Sequence, residues 1–576
     1  MEKDKSSFYL LRLIILAGLI SPVVFSACSS KKPVRVLSDD QQLAYFESFT
    51  YTGNDSYYKE HPLADSSSYY NPVLPGWYSD PSVCTNGKDY FLVTSTFSYY
   101  PGVDLFHSTD LMNWKQVGHI LDRPGQLPLK GQKTSEGIFA PSISYNPHNQ
   151  TYYLITTNIR KGNFFVTTKN PFGEWSDPIA LPEVHGIDPS FFFDDDGQGY
   201  IINNDVPDGG SRYDGHRAIR IRKFNVATQK ADYKSIMIVN GGVHPEEKPI
   251  WIEGPHLYKI QGKYYLMCAE GGTSVNHSEV IFRGDHPMGK FKAWKGNPIL
   301  TQRDLPVNRP DAVTCSGHAD LIQKANGQWW AVFLACRPNE KGFENLGRET
   351  FLMPVRWSKD GFPYLTRPGE EVPLTGEMDG VTRSAHPTFG NFRRSYHFNA
   401  GKPGNDWLGL RGPLDSLMSL TAVPGYLRLS CSTISSRDRE TPAFLCRRLQ
   451  HHQFEATSQM YFNPAKPGYY SGMLLYKDET HQYYLCVSQE KGAKTIGLKK
   501  ITKQGIETVI SKKMKGGNDV IDLKISSAGE YFSFYYARND GSWNLLKDQV
   551  DAYYLSTANA SGFTGTTIGL YATGKL

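Results

Sequence analysis

Cysteine is scarce in this chain: 8 among 576 residues, with no two at the short spacing of a zinc site or a redox pair. An excess of one charge is lacking too. The 62 Lys and Arg nearly match 57 Asp and Glu, and no basic block of the kind that tracks a phosphate backbone occurs, which excludes nucleic acid as a partner. No apolar run is long enough to span a bilayer. The stretch from Leu13 to Ala27 contains Pro22 and falls short of the ~20 apolar residues that a spanning helix needs. Hydrophobic residues make up 39% of the chain, a globular composition rather than a fibrous or polytopic one. No protein partner is evident in any charge run or repeat.

What is abundant points to strands. The 53 Gly, 35 Pro, 35 Tyr and 10 Trp suit short strands joined by tight turns, so the expected fold class is all-β. A single core seldom grows past about 250–300 residues, so two domains are expected behind any leader. Residues 1–28 read as that leader: Lys3, Lys5 and Arg12 precede the apolar stretch, which ends in Phe25-Ser26-Ala27-Cys28. Small residues directly before a Cys resemble a bacterial lipoprotein signal. Cys28 would then carry the lipid and anchor the protein in the cell envelope, in the outer membrane at its periplasmic face or at the cell surface. Residues 29–68, rich in Ser, Asp, Lys and Tyr without periodicity, read as a tether. The other seven cysteines read mostly as small buried hydrophobes.

Internal repetition is the strongest signal. Five segments share a turn-and-strand start: Asp80-Pro81-Ser82-Val83, Ala140-Pro141-Ser142-Ile143, Asp188-Pro189-Ser190-Phe191, Gly254-Pro255-His256-Leu257 and Ala319-Asp320-Leu321-Ile322. A turn such as Asn86-Gly87, Asp196-Gly197 or Asn326-Gly327 follows each start. An aromatic-rich strand such as Tyr90-Phe91-Leu92-Val93 or Trp329-Trp330-Ala331-Val332 comes next. Five hairpins spaced by tens of residues, each with room for two more strands, predict a five-bladed β-propeller over 69–387.

The first strand of a propeller blade is innermost, so its first residues crowd the axis at one mouth. Aligning the five starts puts Asp80 and Asp188 at one position, with Glu253 one residue earlier in blade 4. Phe139 and His318 take that earlier position in blades 2 and 5. Three carboxylates far apart in sequence are therefore expected in one pocket, where they cannot all ionise normally. A raised-pKa acid facing an ionised base is what glycosidic hydrolysis requires. Singly, each carboxylate beside a proline reads as a turn cap; the set of three reads as a catalytic site. Trp77, Phe97, Tyr99, Tyr100, Phe139 and Trp251 surround the mouth. His318 is a candidate neighbour for a calcium ion, but no His/Asp/Glu pair has metal-ligand spacing, and the chemistry requires no cofactor.

Several segments then resemble a known family: NPVLPGWYSDPSV (71–83), GIFAPSISY (137–145), GIDPSFFFDDDG (186–197), WIEGPHLYK (251–259), CSGHADLI (315–322) and LGRETFLMPVRW (346–357). They are similar to glycoside hydrolase family 43, most of all to its β-xylosidase and α-L-arabinofuranosidase branch, over roughly residues 69–575. The resemblance implies an inverting mechanism on xylo- or arabino-oligosaccharides of plant hemicellulose. It makes Asp80 the general base, Glu253 the general acid, and Asp188 the carboxylate that tunes the acid's pKa. It also implies that His318 and Arg348 hold the acid and the sugar hydroxyls, with Phe97 as an aromatic wall. Phe139 stands where many xylosidases have Trp, and Ser79 where Pro is frequent, so sugar preference stays open. For Arg348 the alternative is a salt bridge to Glu349 or to a pocket carboxylate.

From residue 388 to 576, alternating strands such as Tyr426-Leu427-Arg428-Leu429, Phe454-Glu455-Ala456-Thr457 and Tyr483-Tyr484-Leu485-Cys486 predict a β-sandwich. It resembles the concanavalin-like domain that accompanies this branch, where a loop closes one side of the funnel and favours exo action. A competing reading is a non-catalytic glycan-binding surface lipoprotein. Binding alone, however, has no need of an acid and a base. A retaining fructosidase would carry an Asn-Asp-Pro-Asn motif, where this chain has Tyr78-Ser79-Asp80-Pro81-Ser82.

Overall fold

The computed structural model describes residues 42–399, 401–464, 466–514, 520–538 and 541–576. The leader, Cys28 and the first part of the expected tether lie outside the described residues. Five successive antiparallel sheets follow one another from Ser79 to Pro354. Their inner strands are Ser79–Thr85, Ile138–Asn146, Ile187–Phe193, Glu253–Ile260 and Thr314–Gln323. Each packs against the next, and the fifth returns to the first, which closes a five-bladed propeller. The hairpins turn where the sequence signals place them. Gly87, for example, takes φ +93°, a conformation a side chain would strain.

Blade 5 holds three strands of its own: Thr314–Gln323, Trp329–Cys336 and Glu349–Pro354. Its open edge is covered by the chain just ahead of blade 1. Leu74 and Thr350 exchange backbone hydrogen bonds of 3.2 Å in both directions. Asn71 Nδ2 donates to the Leu352 carbonyl, and Asn71 Oδ1 accepts from the Leu352 N–H, both at 2.9 Å. Edge groups that would otherwise stay unpaired are thus satisfied, and the ring is latched.

The sandwich consists of two sheets closed over Phe46, Phe49, Leu429, Met460, Leu475, Leu485, Leu523 and Leu570. Here the expected tether over 29–68 needs correction. Leu43–Gly53 is a strand inside the sandwich, paired with Leu427–Ser430 on one side and Gln453–Tyr461 on the other. Ala44, Phe46, Phe49 and Tyr51 are fully buried. A β-bulge between Phe46 and Ser48 shifts the alternation by one residue, so the core positions run 44 and 46 before it and 49 and 51 after it. The sandwich therefore begins before the propeller and resumes at Arg393–His397, which also pairs with Leu43–Gly53.

The two parts share a buried interface. Gly409–Leu410 pairs with Tyr99–Tyr100 of blade 1. Arg448 of the sandwich is fully buried and stacks 4.0 Å over Trp77. It donates to the Trp77 carbonyl at 2.9 Å and to Asp104 Oδ2 of blade 1 at 2.6 Å. This ion pair fixes the segment that leads into Asp80. Removing one partner of a buried pair strands the other, which typically costs about 3–5 kcal/mol. Arg448→Met is expected to lose stability on that scale in a chemical-denaturation series, and a loss below about 1 kcal/mol would contradict the assignment.

Candidate active site

The five inner strands share a conformation as well as a place. Asp80, Ala140, Asp188, Gly254 and His318 have φ of +53°, +36°, +52°, +54° and +51°. In every blade the pairing register slips across that residue: between 79 and 82, 139 and 142, 187 and 190, 253 and 256, and 317 and 320. A left-handed residue in a bulge is strained for anything but Gly, and it re-aims the side chain away from the pleat. This equivalence corrects the alignment of blade 5. His318 matches Asp80 and Asp188, while Gly317 holds the position of Ser79, Phe139, Ile187 and Glu253. The other four blades carry Pro after the left-handed residue; blade 5 has Ala319, so its start gave no clear mark.

Asp80 is buried beside a guanidinium, a histidine ring and a hydroxyl. Its Oδ1 lies 3.1 Å from Arg348 Nη1 and 3.9 Å from His318 Nδ1. Its Oδ2 accepts from Ser95 Oγ at 2.6 Å. Burial alone would raise its pKa. Arg348, His318, the Ser95 hydrogen bond and His277 outweigh that effect and hold the carboxyl below the ordinary Asp value. Arg348 thus pairs with a pocket carboxylate, the alternative noted for it above. Glu349 faces elsewhere and is gripped by Arg337 at 2.7 and 2.8 Å.

The other two carboxylates move the opposite way. Asp188 is pushed up to about 7, first by burial and then by the charge of Asp80, although the Gly254 N–H donates to its Oδ2 at 3.2 Å. Glu253 is raised well above the usual Glu value, again by burial first and then by Asp188, with Arg348 opposing. The pocket therefore biases Asp80 toward its ionised form and Glu253 toward its protonated form. It can take a proton at one place and give one at another.

His318 sits against blade 4, where a Cβ on Gly254 would lie 2.9 Å from its ring. Together with its positive φ, that contact explains the glycine. Burial lowers His318 to about 4, so the ring is neutral at pH 7. The calcium ion considered near His318 gains no support. Its closest carboxylate is already paired with Arg348, whose charge disfavours a second cation. Beneath the pocket Asp320 ties the inner strands together, accepting from Ser82 Oγ at 2.8 Å and from Tyr258 OH at 2.6 Å.

One wall of the site comes from the sandwich, and sequence reasoning did not name its residue. Phe563 stacks 6.2 Å from Phe97, meets Phe139 edge-on at 5.5 Å, and lies 5.3 Å from the Arg348 guanidinium. Its loop is docked on the propeller. The Phe563 N–H donates to Ser135 Oγ at 3.0 Å, and the Thr566 N–H to the Asn345 carbonyl at 2.7 Å. Phe97 is 1% exposed and backs this wall, while Phe139 is only partly buried. Ser79 is fully buried and donates to the Arg348 carbonyl at 3.3 Å, so it braces the Arg348 loop. The sequence signal for Phe563 is its setting, Gly562-Phe563-Thr564-Gly565, in an otherwise strand-rich stretch.

Comparison with known proteins agrees with this architecture. Residues 69–363 match glycosyl hydrolases family 43, and residues 395–576 match the β-xylosidase C-terminal concanavalin A-like domain. A "Xylosidase/arabinosidase" of Butyrivibrio fibrisolvens is 36% identical over 510 residues, 87% of this chain and 95% of that protein. A "Non-reducing end alpha-L-arabinofuranosidase" of Bacteroides ovatus is 34% identical over 515 residues, 88% and 92% of the two chains. Among solved structures, a family 43 protein retrieved from a capybara gut metagenome superposes with a TM-score of 0.86 at 38% identity, covering 92% of this chain and 99% of that one. The chain belongs to glycosyl hydrolases family 43 and is a glycoside hydrolase whose propeller and concanavalin-like sandwich together build the pocket.

Proposed function

We propose that this enzyme is an exo-acting, inverting hydrolase that releases xylose or arabinose from the ends of plant hemicellulose-type oligosaccharides. The observation that carries the reading is the split among the buried carboxylates, with Asp80 held low and Glu253 held high. Asp80 removes a proton from a water molecule, and the water oxygen bonds to the anomeric carbon. Glu253 gives its proton to the glycosidic oxygen as the old C–O bond breaks. Proton exchange with solvent then restores the Asp80 carboxylate and the Glu253 acid. Asp188 keeps the acid's pKa high through its charge. Arg348 holds Asp80 ionised and, with His318, offers donors to the sugar hydroxyls.

Support for exo action comes from the Phe563 loop, which walls one side of the funnel, and from the relative described as acting at the non-reducing end. A binding-only role would leave the opposite carboxylate shifts without a purpose. Incubation with an aryl β-xyloside and an aryl α-L-arabinofuranoside in parallel tests the reading. Release of the aryl group from at least one is expected, and release from neither would contradict it.

Phe563→Ala should remove the aromatic face shared by both parts. Truncating an aromatic side chain that acts as a binding hot spot costs about 2 kcal/mol or more. Hence kcat/KM is expected to fall by about tenfold or more, mostly through KM, with the melting temperature little changed. Unaltered kinetics would show that the wall does not touch the sugar.

The envelope reading rests on the leader alone. We propose that Cys28 is lipidated; Cys28→Ser should then move the protein from the membrane fraction to the soluble one, and an unchanged distribution would contradict the anchor.

A further inference from the structure

Ser95 ends the second strand of blade 1 and is completely buried. A hydroxyl has one proton to give and lone pairs to accept with. The Ala140 backbone N–H of blade 2 can only donate, and it lies 2.8 Å from Ser95 Oγ. The serine's single proton is therefore left for Asp80 Oδ2, 2.6 Å away, which leaves Oδ1 as the oxygen turned to Arg348. Asp80 and Ala140 are the left-handed residues of neighbouring blades. One hydroxyl thus bolts together the two strained turns that shape this side of the pocket.

The propeller supplies its own control. Ser95 pairs with Ser79 across the blade 1 ladder. The corresponding partners in blades 2 to 5 are Thr157, Asn204, Ala269 and Leu334. Thr157 turns to Asn163 at 2.6 Å, and Asn204 Nδ2 to the Ile252 carbonyl at 2.6 Å. Ala and Leu have no hydrogen-bonding side chain. The fold therefore does not need a hydroxyl at this position; only the blade that carries Asp80 aims one at a pocket carboxylate.

We propose that Ser95 is a positioning residue of the reaction, which fixes the orientation and the ionised form of Asp80 through a hydrogen bond that can run in one direction only. The inference rests on the assignment of Asp80 as the base. Other groups face Asp80 from the packed elements: Arg348 and His318 of blade 5, His277 and Glu253 of blade 4, and Asp188 of blade 3. All of them remain in a Ser95 variant, so a change in the titration of the base reports the lost hydroxyl.

The test is the pH dependence of kcat/KM for Ser95→Ala, Ser95→Thr and Asp80→Asn on one aryl glycoside. A base must be ionised to act, so its pKa sets the acid limb. Hydrogen bonds to charged groups are among the stronger ones. Ser95→Ala should move the acid limb up by about one pH unit, a tenfold gain in proton affinity. Ser95→Thr, which keeps Oγ, should restore it. Should Ser95→Ala fail to fold, Ser95→Cys, a weaker donor, is expected to give a smaller upward shift. An acid limb left in place in the folded variant, whether or not the melting temperature falls, overturns the proposal. Substantial activity in Asp80→Asn would instead overturn the base assignment on which it rests.

Discussion

Asp80→Asn is expected to be nearly inactive on every glycoside, whatever its leaving group. The amide cannot take a proton from water, and no property of the departing group replaces that step. General base assistance is typically worth 10²–10⁴-fold, and a loss of at least that size should appear equally for natural oligosaccharides and for activated aryl glycosides. The variant also leaves Arg348 facing a neutral side chain in a buried site. A circular-dichroism or melting control must therefore accompany the assay. Near-normal turnover in a folded Asp80→Asn protein would remove Asp80 from the role of base.

Glu253→Gln should behave differently, because the acid serves only the leaving group. A natural oligosaccharide departs as a poor leaving group and needs the proton, so a loss of about 10²–10⁴-fold is expected there. A dinitrophenyl glycoside departs without assistance, and much of its hydrolysis should survive. The pH profile should change as well. In the parent enzyme activity is expected to decline on the alkaline side as the acid loses its proton, and burial together with Asp188 should place that limb above the ordinary Glu range. With a nitrophenyl-type substrate the Gln variant should lose this limb. Equal inactivity on good and poor leaving groups would send the search for the acid to Asp188, which is also raised.

Much of this arrangement was legible in the sequence because its repeat is written in residues with special backbone roles. Asp-Pro, Ala-Pro and Gly-Pro starts mark left-handed bulges, and the turns that follow mark the hairpins. Those signals were enough to align Asp80, Asp188 and Glu253 around one mouth. Where the Pro was missing, at His318-Ala319, the alignment slipped by one residue. Two other features left no local trace. Leu43–Gly53 looked like linker because a bulge shifts its alternation by one residue and its partners lie hundreds of residues away. Phe563 belongs to a loop whose meaning depends wholly on docking against Ser135 and Asn345 of the propeller. Long-range pairing of that kind has no period for a single sequence to display. The Arg348–Asp80 pair was open for the same reason, since nothing local separates Glu349 from Asp80 as its partner.

The central claim is that water attacks directly, activated by Asp80 while Glu253 protonates the leaving oxygen. Proton NMR of the first product formed tests it most directly. The spectrum is followed from the start of hydrolysis of a β-xyloside or an α-L-arabinofuranoside, before mutarotation scrambles the anomers. Direct attack predicts the opposite configuration, α-xylose from the β-xyloside or β-arabinose from the α-arabinofuranoside. Initial release of the sugar with its original configuration would require a covalent intermediate, and would contradict the roles assigned to Asp80 and Glu253.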